Sequence, residues 1–120
     1  MQLLLAIALG LNLVVETLAA AGLIAGPNGI SASGDAARER WAMHYGFAVI
    51  AIASAGIWLW PRRRELAALT PVLGMLITFH LAVLTSLLIA GDQPAGVVLH
   101  AVLALLFVIS FVRREKIAAS

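Results

Sequence analysis

The chain has 120 residues, of which 62% are hydrophobic and 12% charged, and its mean hydropathy is +1.03. A globule this small cannot hide so much apolar surface, so the composition excludes an ordinary soluble domain and points to a single integral membrane domain over residues 1–120. The absence of cysteine excludes disulfide staples and thiolate metal sites, and the net charge of +2 sits in short clusters at the ends of apolar runs, where it serves membrane topology rather than nucleic acid.

Four apolar runs follow in chain order, at about 2–25, 41–60, 66–90 and 95–112. Each is long enough to cross a hydrocarbon core of roughly 30 Å at about 1.5 Å per residue. The first lacks a basic leading segment and carries Asn12 and Glu16, so it reads as a retained helix rather than a cleaved signal. "GPNGISASGD" (26–35), "PRRRE" (61–65) and "GDQPAG" (91–96) supply the turns. These connections are short, so neighbouring helices run antiparallel, and the predicted fold is an all-α, four-transmembrane-helix antiparallel bundle. Trp41 and Tyr45 at one end of the second run, and Trp58 and Trp60 at the other, have the placement of interfacial aromatic belts.

Six of the eight basic residues, Arg62, Arg63, Arg64, Arg113, Arg114 and Lys116, fall in the 61–65 turn and near the C-terminus. With four spans these segments share one side, and the positive-inside rule makes it the cytoplasm, with both termini. Arg38 and Arg40, beside Asp35 and Glu39, are expected in a nearly neutral outer loop.

The costly residues within the spans are Asn12, Glu16, His44, His80 and His100. A charge at the centre of a membrane helix costs about 3 kcal/mol, so such groups turn inward. At about 100° per residue, Leu5, Ala8, Asn12, Glu16 and Ala19 share one side of the first helix, opposite Leu4, Ile7, Leu11, Val15 and Leu18. His44 falls with Ala48, Ala51 and Ala55, and His100 with Gly96, Ala104 and Phe107, so both are predicted interior. On the third helix the small and hydroxylic face is Gly74, Thr78 and Thr85, while His80 lies with Leu73, Ile77, Leu84 and Leu87. Its neighbour is therefore open: another helix, or a partner subunit. Counted from the outer ends of their runs, His44 and His100 lie about 5–8 Å deep, and Glu16 and His80 about 13–15 Å. A carboxyl and imidazoles gathered in one half of a small bundle suit a pocket that binds or translocates a small or lipophilic substrate with proton exchange.

Other readings stand beside this one. His44 with His100 could ligate haem, or Glu16 with His80 a metal, although no His-x-x-x-His or Glu-x-x-His pair occurs. The chain could instead be an accessory subunit that docks through its small-residue stripes. An enzyme using Glu16 and a histidine as acid and base has only proximity behind it, and the reading leans away from catalysis. A unit of this size encloses little volume, so a homo-oligomer or a partner membrane protein is expected.

Two resemblances bear on these readings. "VVET" around Glu16, with the chain length, looks like the small multidrug resistance carriers. The aromatic pattern expected around that glutamate is missing, however, and the charge bias is strong, so the chain is not assigned to them. "AGLIAGPNGISASGDAARERWAMHYGFAVIAIA" (21–53) resembles the first loop and second span of small bacterial DoxX-like membrane proteins. That resemblance implies a four-helix unit in the bacterial inner membrane and carries no site residues with it.

Overall fold

A computed structural model describes residues 1–30 and 32–120; Ser31, in the loop expected on the outer side, is outside the described residues. The protein is all-α, with no strand among the described residues. Its helices are α1 (Gln2–Ile24), α2 (Ala36–Leu59), α3 (Leu66–Ala90), α4 (Pro94–Val112) and the short α5 (Arg114–Ala118). The first four are long and apolar enough to cross a membrane, and only 17–33% of each apolar window is buried inside the structure. Side chains such as Leu3, Trp58 and Ile89 are about three-quarters or more exposed, which in water would be an aggregation liability and in a bilayer is contact with lipid. This is a multi-pass membrane protein.

Helix ends follow local chemistry. α2 begins some five residues before the apolar run because Asp35 caps it. Its Oδ1 accepts the N–H groups of Ala37 and Arg38 at 2.9 and 3.3 Å, as an N-cap carboxylate does. Glu39 Oε1 reaches back to accept the N–H groups of Ser33 and Gly34, both at 3.0 Å. Arg38 and Arg40 therefore ride on the first turns of α2, where a loop was expected. At the end of α3, Gly91 adopts φ 73° and its N–H returns to the Leu87 carbonyl, a left-handed C-cap that suits glycine. Pro94 then opens α4 at a position where no backbone donor is needed.

The structure divides into two compact units, Gly10–Gly56 and Met1–Leu9 with Ile57–Ser120. In the first, α1 and α2 run antiparallel. Asn12 Nδ2 donates to the Ile52 carbonyl at 3.0 Å. Farther along α1, Gly46 of α2 comes so near that an added Cβ would lie 2.8 Å from Ile24 Cγ1 and 3.1 Å from the Ala20 carbonyl. Lipid tails are as apolar as leucine, so such close backbone approach, rather than apolar burial, holds membrane helices together. The connecting turn folds back over the end of α1, where Ile30 N–H donates to the Gly22 carbonyl at 3.0 Å.

In the second unit α3 and α4 form an antiparallel hairpin across Gly91–Gln93, and α5 packs back on both through buried Ile117. Leu69, Leu73, Leu76 and His80 are the buried face of α3; His100, Leu103, Ala104, Phe107 and Ser110 are that of α4. At the other end of this unit Gln2 ties three segments together: its Nε2 donates to the Ser120 carbonyl at 2.6 Å, and its Oε1 accepts from Arg63 Nε at 3.2 Å. The two termini and the 60–65 turn thus share one end of the unit, as the charge pattern required.

The packing yields a paired test. Gly46→Ala forces a methyl into the α1–α2 contact and is expected to cost about 1–3 kcal/mol. A Cβ on Gly74 meets nothing within 4 Å, so Gly74→Ala is expected to be neutral or to stabilise by up to about 1 kcal/mol through helix propensity. Denaturant unfolding in detergent micelles reads both; equal effects would contradict the packing described.

Candidate functional site

The phase predicted for α1 holds. Leu5, Ala8, Asn12 and Glu16 are buried, together with Leu9 and Ala20, while Ile7, Leu11 and Leu18 are exposed. Asn12 and Glu16 lie one turn apart on that face, and Glu16 is 1% exposed. Asn12 bonds a backbone carbonyl of α2 and so fixes the register of the α1–α2 pair. A carboxyl so far from water is an expensive choice for packing alone.

On α3 and α4 the structure brings His80 and His100 together. Their Nδ1 atoms are 3.0 Å apart and buried, and the ring centroids are separated by 5.2 Å. Phe107 lies parallel to His80, at 5.4 Å and 13°. Phe79 meets both imidazoles edge-on, at 5.2 Å from His80 and 6.4 Å from His100. The phenyl rings exclude water from one side, and the stacked face of Phe107 is within the distance at which an aromatic quadrupole steadies a cation.

The chemistry of the pair follows from its two facing nitrogens. A neutral imidazole has one donor and one acceptor nitrogen. For the Nδ1 atoms to bond, one ring must carry its proton there and the other must present a lone pair, so the neutral rings hold opposite tautomers. A second proton between them would set donor against donor, and two imidazolium charges at this distance repel. The protonation of the two rings is therefore coupled. As metal donors, two nitrogens are half of the set a tetrahedral zinc site uses.

One question that helical phase left open is answered, and one prediction needs correction. His80 is interior, and its neighbour is α4. The Gly74, Thr78 and Thr85 face is the outward one, with Thr78 Oγ1 donating to the Gly74 carbonyl at 3.0 Å and Thr85 Oγ1 to the Leu81 carbonyl at 2.8 Å. Hydroxyls satisfied by their own helix need no partner across an interface. His44 was expected inside but is exposed, as are Ala48 and Ala51; it stands edge-on to Trp41 at 6.1 Å. The inward face of α2 carries Gly46, Val49 and Ala53 instead. For haem ligation by His44 with His100, one candidate ring thus faces outward, while the Nδ1 of the other is turned to His80.

The sequence reading missed the pairing of His80 with His100 and the role of Phe79. A signal for the pairing was present: the histidines lie ten residues either side of Ala90, where α3 ends, and an antiparallel hairpin brings such positions level. Depth counted separately from each run hid this, because the last turn of α3 extends past the start of α4.

Single replacements, His80→Leu or His100→Leu, are each expected to destabilise the protein by about 1–3 kcal/mol, since each strips the surviving ring of a buried hydrogen bond. The double replacement is expected to cost clearly less than the two together. A double-mutant cycle by denaturant unfolding in micelles measures this, and strict additivity would contradict a direct bond. No family model matches the chain, and neither does any curated protein or solved structure.

Proposed function

We propose that this protein binds or passes a small or lipophilic substrate through the membrane and exchanges a proton at Glu16 as it does so. The observation that carries the reading is the burial, within helices long and apolar enough to span hydrocarbon, of side chains able to hold or release protons: Glu16, and His80 with His100. Ionisable groups are costly to carry into a span, and buried ionisable residues in spans mark proton and substrate paths. In this reading Glu16 is the exchanging acid. Asn12, one turn away, orients it, and the imidazole pair stores a proton. His44 enters only as an outer-rim group.

The remaining parts of the proposal concern setting. The basic end, with both termini, faces the cytoplasm, and the membrane is the bacterial inner membrane, as the DoxX-like pattern of 21–53 implies. Because four helices enclose little volume, a second copy or a partner membrane protein completes the path. Haem or metal chemistry and an accessory role are the competing readings. Neither needs Glu16 to change its protonation.

Proteoliposomes enclosing a pH-reporting dye test the central claim. A panel of lipophilic solutes is expected to drive proton movement through the wild type and none through Glu16→Gln, with folding intact by circular dichroism. Undiminished proton movement in Glu16→Gln would remove the proposal.

Topology is tested separately, since the natural chain has no cysteine. Single cysteines at Gly34 or Asp92 are expected to react with an impermeant maleimide from outside, and those at Arg63 or Ser120 only after permeabilisation. The opposite pattern would invert the orientation.

A further inference from the structure

At the basic end of the second unit, the final turn of α2 and the first half of α3 enclose a groove of about 560 Å³, within the range of small-molecule sites. Its walls are Ile57, Trp58, Pro61, Pro71 and Val72, with Arg62 as its charged member. The walls are apolar and face outward: Ile57 is 59% and Trp58 77% exposed. The two prolines offer rigid rings and no N–H, so this stretch of wall needs no hydrogen-bonding occupant.

The arginines of the adjoining turn are not equivalent. Arg63 is committed: its Nε donates to Gln2 Oε1, its Nη1 to the Trp60 carbonyl at 2.9 Å, and its guanidinium lies 4.4 Å above the Trp60 ring. Arg62 makes no ion pair among the described residues and is exposed at the groove. An apolar trough beside an uncommitted guanidinium, at the level where Trp58 and Trp60 mark the interface, matches a molecule with a fatty chain and an anionic head.

We infer that this groove is a binding site for an anionic phospholipid, whose phosphate is held by Arg62 and whose acyl chain lies along Ile57, Trp58, Pro71 and Val72. Guanidinium binds phosphate oxygens through parallel N–H donors, and the groove walls supply the chain with a slot of matching polarity. A second copy of the chain is the less suitable occupant. Two-fold pairing through this groove would gather two Arg62 guanidinium charges into one small interface. The inference is independent of which membrane face the basic end occupies.

The test is native mass spectrometry of the full-length protein in micelles, titrated with phosphatidylglycerol or with phosphatidylcholine of the same acyl chains. The wild type is expected to retain one phosphatidylglycerol in preference to phosphatidylcholine. Arg62→Ala is expected to weaken phosphatidylglycerol retention about fivefold, the effect of one basic residue at an anionic surface, and to leave phosphatidylcholine unchanged. Arg62→Lys should recover part of the loss. Val72→Trp, which fills the slot, should reduce retention of both lipids. Arg114→Ala, whose guanidinium is bonded to the Phe111 carbonyl and lies over that ring, should change neither. Equal retention of the two lipids, an effect of Arg114→Ala as large as that of Arg62→Ala, or a change of oligomeric state in Val72→Trp without lipid loss would each overturn the inference.

Discussion

Inside hydrocarbon no water is at hand to accept or donate a hydrogen bond, so every polar atom carried into a span must find its partner within the protein. Six side chains among the described residues meet that demand in two ways. Thr78, Thr85 and Ser110 bond back to the carbonyl one turn earlier on their own helix. Asn12 and the histidines instead reach across to a neighbouring helix. The first solution leaves a side chain free to face anything, and Thr78 and Thr85 are exposed while Ser110 is buried. The second works only where two helices meet, and it fixes their register, since sliding by one residue would strand both partners.

Each unit shows this second solution, on helices that also meet closely at a glycine. In Gly10–Gly56 the clasp is Asn12 on Ile52, and Gly46 admits the far end of α1. In the other unit the clasp is His80 on His100. There Gly96 sits where a Cβ would already press on Leu87 Cδ1 at 3.0 Å. Leucine-rich surfaces cannot specify a partner when lipid is equally apolar; one polar bond with one close contact can. The clasps differ in chemistry. An amide holds its bond at any pH, whereas the bond between two imidazoles depends on their protonation, which is why the second clasp has functional interest beyond packing.

The sequence disclosed the helices, and on α1 the buried face, because there the polar and leucine-rich sides oppose each other without conflict. It failed where a rule about residue type was asked to stand for a partner. On α3 the small and hydroxylic face left the neighbour of His80 open; Thr78 and Thr85 bond to their own backbone and so exert no pull toward an interface. His44 lies on a stripe with Ala48 and Ala51, yet alanine tolerates lipid as readily as an interface, and Trp41 offers the imidazole an aromatic edge outside. The extra turns of α2 were hidden for another reason: hydropathy ends at Trp41, whereas the helix is set by the Asp35 cap and by the bonds to Glu39. The division into two units has no sequence signal at all, since it falls within α1 and α2 rather than at a loop.

Charge counting treats the arginines of the basic end as interchangeable, and the structure separates them. Arg63 follows Trp60 by three residues and Arg114 follows Phe111 by three. In both cases the guanidinium donates to the carbonyl of the aromatic residue and lies over its ring, at 4.4 and 4.5 Å. The carbonyls served lie at the C-terminal ends of helical segments, where positive charge meets the negative end of the dipole. These two arginines therefore finish the helices that precede them, and their charge is partly spent on the protein itself. Arg62 has no such aromatic three residues before it, because that place is Leu59, and Leu59 is buried. The same spacing that fastens Arg63 leaves Arg62 facing the groove, so adjacent residues of one charge cluster have unlike duties for a reason written in the identity of the third residue before each.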